Sequence, residues 1–227
     1  MRWILAIAMT VLPALVCAQD APALKTDKEK LSYAMGMDLG GQLKANSVDI
    51  DTALFIEGLR AALAGGKTLL TDAEAKDAIS KLQMAMVSKQ AAVAKAAGEK
   101  NKAEGDAFLA ANKAKPGVVT LPSGLQYKIL TAGTGKTPTA TDTVVCHYRG
   151  ALINGKEFDS SYKRGEPAAF LVGKVIKGWT EVLQLMPVGS KWQVCIPSNL
   201  AYAERGSGAD IGPNATLIFE LELVAIK

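Results

Sequence analysis

The sequence is poor in the residues that most enzyme chemistry uses. Histidine occurs once, as His147, and cysteine three times in 227 residues. With no second histidine and no Cys-x-x-Cys pair, a His/Cys metal centre is not expected. No Ser-His-Asp or Cys-His set exists to drive covalent nucleophilic catalysis either. Neither a metal nor a cofactor is therefore expected. Basic residues form no block: 26 Lys and Arg are interleaved with 22 Asp and Glu, for a formal net charge of +4. That pattern argues against nucleic acid as a partner. Long apolar runs are missing as well, except in residues 1–18. There Arg2 supplies a positive start, residues 3–16 an apolar run, and Val16-Cys17-Ala18 a cleavage pattern before Gln19. The run is too short to cross a bilayer and reads as a cleaved secretory signal peptide. The mature chain is expected in the periplasm, with outer-membrane or surface association as an alternative. Lipidation of Cys17 is disfavoured by the β-branched Val16 before it.

What is present divides by period. Thr26-Asp27-Lys28-Glu29 is a capping box, opening a helix with Leu31, Met35, Leu39 and Leu43 on one stripe. Asn46 ends it. Asp49 or Asp51 starts a second helix through Phe55, Ile56 and Leu59, stopped at Gly65-Gly66. Thr71-Asp72-Ala73-Glu74 is a second capping box, followed by a proline-free stretch to about residue 113. A helix of that length spans roughly 63 Å. It carries a narrow stripe of Ile79, Leu82, Met86 and Val93, and is otherwise alanine and charge. So polar a helix reads as an arm rather than a core element, with Gly98 and Gly105 as its expected bending points. Two short helices bury too little surface to stand alone, so a homodimer through residues 26–90 is expected; folding back on the long helix is the alternative.

From Leu125 the period changes to two. LQYKIL, TVVCHYRG, AAFLV, SKWQVCI and ATLIFELELVAI read as strands, Asn154-Gly155 as a turn, and Gly150 and Gly173 as further punctuation. A short helix near residues 179–185 is expected to cover the sheet with Trp179, Val182 and Leu183. In VVCHY, Cys146 shares the inward face of Tyr148; in KWQVCI, Cys195 opposes Trp192, Val194 and Ile196, so no disulfide is expected.

Aromatics make up only 6% of the chain, yet Tyr148, Phe158, Phe170, Trp179 and Tyr202 crowd into residues 145–202. Asp159, Arg164, Val175 and Ile176 lie among them, and Phe219 follows in the last strand. Singly, each has a bland reading: the rings as core, Asp159 as a turn former, His147 as a surface residue. The spaced set points to a pocket.

The segments GLQYKIL, V-x-x-x-Y-x-G (144–150), G-x-x-F-D-S-S (155–161), V-I-x-G-W (175–179), L-x-x-M-x-x-G (183–189), L-A-Y (200–202) and IGPNATLIFELEL together resemble the FKBP family of peptidyl-prolyl isomerases. DKEKLSYAMGMDLG and FIEGLRAAL resemble its exported bacterial Mip/FkpA-type subgroup. The resemblance implies an α+β protein: a helical dimerisation domain (19–70), a long connecting helix (71–115), and an isomerase domain (116–227) whose antiparallel sheet wraps around a short helix. It implies rotation of X–Pro bonds in proline-containing unfolded or folding polypeptides, a chaperone activity of the dimeric helical cradle, and binding of macrolide inhibitors of the FKBP class. Tyr148, Phe158, Asp159, Val175, Ile176, Trp179, Tyr202 and Phe219 are implied to form the pocket. Trp179 is its floor, Ile176 N–H and Tyr202 O–H donate to substrate, Asp159 faces the rotating amide, Arg164 positions Asp159, Phe170 contributes to binding, and Ile211 sits in the covering loop. Ala168 and Ala203 depart from the family's aromatic and glycine, which bears on substrate preference. The alternatives are a holdase chaperone and a surface interaction protein with little turnover.

Overall fold

The structure is a computed structural model that describes residues 24–227; the expected signal peptide and cleavage site lie outside the described residues. It divides into two compact units, Met1–Ala75 and Lys76–Lys227. In the first, helix α1 (Asp27–Ala45) is opened by the expected reciprocal capping box of Thr26 and Glu29 and closed at Asn46. Helix α2 (Thr52–Ala64) is capped by the Asp51 carboxylate, which accepts from the N–H groups of Ala53 and Leu54, and ends at Gly65. Neither helix has a buried residue. Helix α3 (Asp72–Asn112) begins in this unit at the second capping box, where Thr71 N–H donates to Glu74 and Glu74 N–H to the Thr71 hydroxyl.

In the second unit the expected strands appear with two additions. These are β1 (Val118–Thr120) and β4 (Glu157–Ser160), each too short to show a period. The others are β2 (Gln126–Thr131), β3 (Thr143–Leu152), β5 (Ala168–Leu171), β6 (Lys191–Ile196) and β7 (Leu217–Ile226). All pairings are antiparallel in the order β1-β2-β6-β7-β3-β4, with β5 also on β3. Strict alternation along β3 and β7 turns Val144, Cys146, Tyr148, Leu217, Phe219, Leu221 and Leu223 to one face, all buried. Helix α5 (Lys177–Leu183) covers that face with Trp179, Val182 and Leu183, as its sequence predicts. Gly178 is the contact point: a Cβ there would lie 2.5 Å from Ile196 Cγ2. A four-residue helix, α4 (Ser161–Arg164), follows β4 directly.

The opposite face of the sheet corrects the reading of the long helix as a free arm with glycine bends. Cys195 opposes Trp192, Val194 and Ile196 as expected, and its face too is covered. It is 3% exposed, because the C-terminal end of α3 lies over it, with Asn112 Nδ2 3.5 Å from its sulfur. Asn112 also donates to Gln126 Oε1 at 2.9 Å, and Gln126 Nε2 donates to Leu109 O at 2.8 Å. Gly98 and Gly105 are therefore not hinges. A Cβ on Gly105 would stand 2.3 Å from Thr216 Oγ1, and one on Gly98 would stand 3.2 Å from Pro213. The helix runs on through both glycines. Their missing side chains let its backbone approach the sheet, so one face of this end of α3 is packed, at Gly98, Gly105 and Asn112, while its other faces stay exposed. Burial pushes the thiols of Cys146 and Cys195 up to about 12 and about 11, which leaves both as inert apolar filling.

Candidate active site

Between α5, β3, β4, β5 and β7 the sheet unit leaves a hollow of about 300 Å³. Its lining is Tyr148, Phe158, Asp159, Phe170, Lys174, Val175, Ile176, Trp179, Tyr202 and Phe219. Trp179 is the hub. Tyr148, Phe170 and Phe219 each present a ring 5.2 Å from it at 80–81°, and Phe158 packs edge-on against Phe219 at 5.6 Å. Edge-to-face contacts place the positive ring edge over the negative face, at roughly 0.5–1.5 kcal/mol per pair beyond burial. The register explains why these rings meet. Gly150 in β3 pairs with Phe219 on one side and Asp159 on the other. A Cβ there would come within 2.7 Å of both the Phe158 and Phe219 rings. Gly150, read from sequence as turn punctuation, is thus inside a strand, where its lack of a side chain makes room for the ring pair.

Polar groups gather at one edge of the hollow. Tyr148 O–H donates to Asp159 Oδ2 at 2.7 Å; Arg164 donates to Asp159 Oδ1 and to the Tyr148 oxygen, each at 2.6 Å. The guanidinium also lies over the Tyr148 ring at 5.3 Å. Burial works to raise the Asp159 pKa, but the hydrogen bonds from Tyr148 and Arg164 and the Arg164 charge outweigh it and hold the carboxyl below its ordinary value. Tyr148 is shifted up, by burial first and then by its bond to the Asp159 carboxylate. Asp159 is therefore an anion, and Tyr148 a neutral donor, across the physiological range. Beneath them Ser161, fully buried, accepts from Tyr148 N–H at 2.7 Å and fixes that strand position. No pattern in the sequence singles out this role for Ser161. At the rim, Tyr202 is 37% exposed, and among the described residues no turn or loop hydrogen bond uses the Ile176 N–H.

Two of the expected site residues do not line the hollow, although Arg164 holds Asp159 as expected. Arg164 reaches Asp159 and Tyr148 without lining the hollow, and Ile211 is 7% exposed in the apolar core, bridged to Ser207. Lys174 lines the hollow, and no pattern in the sequence singles it out. His147 faces away from Tyr148, stacked on Tyr162 at 4.8 Å.

Residues 28–129 match the family described as the domain amino terminal to FKBP-type peptidyl-prolyl isomerase, and residues 134–224 match FKBP-type peptidyl-prolyl cis-trans isomerase. The chain belongs to the FKBP family. This FKBP is 50% identical over 212 residues to the outer membrane protein MIP of Legionella longbeachae, across 93% of this chain and 91% of that one. It is 42% identical to the FKBP-type 22 kDa peptidyl-prolyl cis-trans isomerase of Escherichia coli, across 90% of this chain and 98% of that one. Among solved structures, the crystal structure of FkpA from Escherichia coli superposes with a TM-score of 0.70 at 36% identity, covering 90% of this chain and 99% of that one. The helical N-terminal region, long helix and antiparallel sheet expected from sequence are thus the FKBP arrangement found here.

Proposed function

We propose that the hollow around Trp179 rotates prolyl peptide bonds, with Tyr148, Phe158, Asp159 and Tyr202 touching the reacting segment. The enzyme is a peptidyl-prolyl cis-trans isomerase of the FKBP type, acting on proline-containing chains. The barrier to rotation, ~18–20 kcal/mol, comes from amide resonance, so no bond need break. An aromatic, water-poor hollow disfavours the charge-separated resonance form and favours the twisted amide. Asp159, kept anionic by Arg164 and Tyr148, supplies a fixed field at the edge where the amide turns. Ile176 N–H and Tyr202 O–H hold flanking carbonyls, and Phe170, Val175 and Phe219 grip the proline ring. The observation that carries this reading is Trp179 framed by three edge-on rings beside the Tyr148–Asp159–Arg164 cluster. Macrolide inhibitors of the FKBP class are expected to bind in the same hollow.

The test is turnover of a proline tetrapeptide. Wild type accelerates interconversion, Asp159→Ala costs about ten-fold or more, equivalent to ~1.4 kcal/mol of the barrier, and Tyr202→Phe costs less. Wild type no faster than buffer sinks the reading.

The remaining assignments are part of the same proposal. Residues 19–70, 71–115 and 116–227 act as dimerisation domain, connecting helix and isomerase domain, and the dimer forms through residues 26–90. The protein is exported, in the periplasm or with outer-membrane association; the relative named outer membrane protein MIP supports export. A second reading, a holdase function of the helical region, is favoured by the exposed apolar residues of α1 and α2. Aggregation suppression that persists without residues 124–227, with isomerase activity absent from the full chain, decides for it.

A further inference from the structure

A second hollow opens on the far side of Tyr202. Its volume is about 550 Å³, and its walls come from the C-terminal half of α3 and from two loops of the sheet unit. Tyr202 lines both hollows, so they meet at one ring. The side chains differ across it. On the Trp179 side aromatic rings dominate, with Asp159 and Lys174 at the edge; beyond Tyr202 the smaller Ser198, Asn199, Asn214 and Thr216 stand beside Pro197 and Ala203. Lys102 and Arg205 are balanced there by Asp106 and Glu204, and Lys102 already pairs with Asp106 at 2.7 Å. Amides and hydroxyls spaced along a largely apolar wall with no net charge suit the N–H and C=O groups of a peptide of any sequence. It is also a built surface. Asn101 Nδ2 donates to Pro213 O at 2.8 Å, and Asn214 N–H donates to Ala203 O at 2.7 Å. These two bonds tie α3 to the loop that carries Tyr202.

We propose that this groove is a binding subsite for the extended polypeptide that flanks the isomerised proline. The proposal rests on the Trp179 hollow holding the prolyl residue, and it extends that site along the chain. Specificity is for length and for an unstructured, extended backbone, with no preference for acidic or basic flanks. Because α3 forms one wall, the long helix contributes directly to substrate capture.

The experiment compares kcat/KM for two peptides with the same X–Pro core on the full chain: a tetrapeptide, and the same core lengthened by about six residues at each end. Wild type favours the longer peptide by about ten-fold, which a few backbone hydrogen bonds supply. Asn199 is exposed, so Asn199→Trp plugs the groove from its surface; the long-to-short ratio falls toward one, through KM rather than kcat. Asn199→Ala lowers the ratio less and serves if the tryptophan variant fails to fold, as thermal unfolding reports. Equal handling of both peptides by wild type, or a wild-type ratio in the folded variants, overturns the subsite. Failure of wild type to act on the tetrapeptide overturns the Trp179 reading beneath it instead, and the subsite with it.

Discussion

At the scale of single residues, Asp159 shows how charge is held in place. Its folded pKa lies below that of a free carboxyl, so its contribution to stability is present above the ordinary carboxylate range and fades as pH falls through the lowered value. Asp159→Asn is therefore expected to cost stability at neutral pH, and the gap to wild type to close as the solution is acidified. Urea unfolding at several pH values measures it; a gap that does not vary with pH contradicts the pairing with Arg164 and Tyr148. Its side chain is 44% exposed, and solvent screening keeps the effect small. Tyr148, shifted the other way, adds pH dependence only on the alkaline side: its contribution is full below the ordinary phenol value and is lost as pH rises through the folded one. Ala203 carries a different tension. It sits at φ 49°, in the left-handed region that costs a residue with a Cβ roughly 1–2 kcal/mol. Ala203→Gly removes that cost while loosening the unfolded chain by ~0.4–1 kcal/mol, so stability is expected to hold or rise by up to about 1 kcal/mol. A clear fall in denaturation midpoint argues that Ala203 is unstrained.

At the scale of elements, the two kinds of glycine contact account for most of what the sequence concealed. Five strands, three long helices and the short covering helix followed from period and caps, because alternation and capping boxes are local signals. β1 and β4 were hidden by their three- and four-residue lengths. The docked end of α3 was hidden for a different reason: its contact stripe is Gly98, Asn101, Gly105 and Asn112, which hydrophobic periodicity does not register. The aromatic members of the pocket were legible as a cluster, and family resemblance supplied the motif that joined them. Ser161 and Gly150 were not, since each acts by supporting a neighbour. The same contacts give an element-scale prediction. In a free helix Gly105→Ala gains about 1 kcal/mol of propensity. Here the methyl meets Thr216 Oγ1 at 2.3 Å, so overpacking of about 1–3 kcal/mol is expected to win. The variant unfolds at lower denaturant than wild type, whereas a more stable variant shows that α3 yields freely. Gly150→Ala crowds Phe158 and Phe219 and is expected to weaken tetrapeptide turnover more than it weakens the fold, which activity and melting compared side by side reveal.

At the scale of the whole molecule, the two units are unlike in how they hide apolar surface. The sheet unit encloses a continuous core from Leu125 to Leu223, with many members fully buried. α1 and α2 bury nothing: Leu31 is 63% exposed, Met35 65%, Leu54 58% and Leu59 49%. Burying one such side chain is worth about 1.5–3 kcal/mol, so leaving a whole stripe in water is a cost that the proposed second copy of the chain would relieve. Each helix is well capped, and caps contribute about 1 kcal/mol apiece, too little to hold short helices without packing. Helical content in this region is accordingly expected to depend on association. Leu31→Asp with Met35→Asp places two charges on the stripe, and light scattering should then report monomer where wild type reports twice the chain mass. Circular dichroism of the same variant should lose helix signal while tetrapeptide turnover persists, since the isomerase hollow lies wholly in the sheet unit. Full dimerisation by the double variant, with helix content intact, means that residues 26–90 pair through some other face.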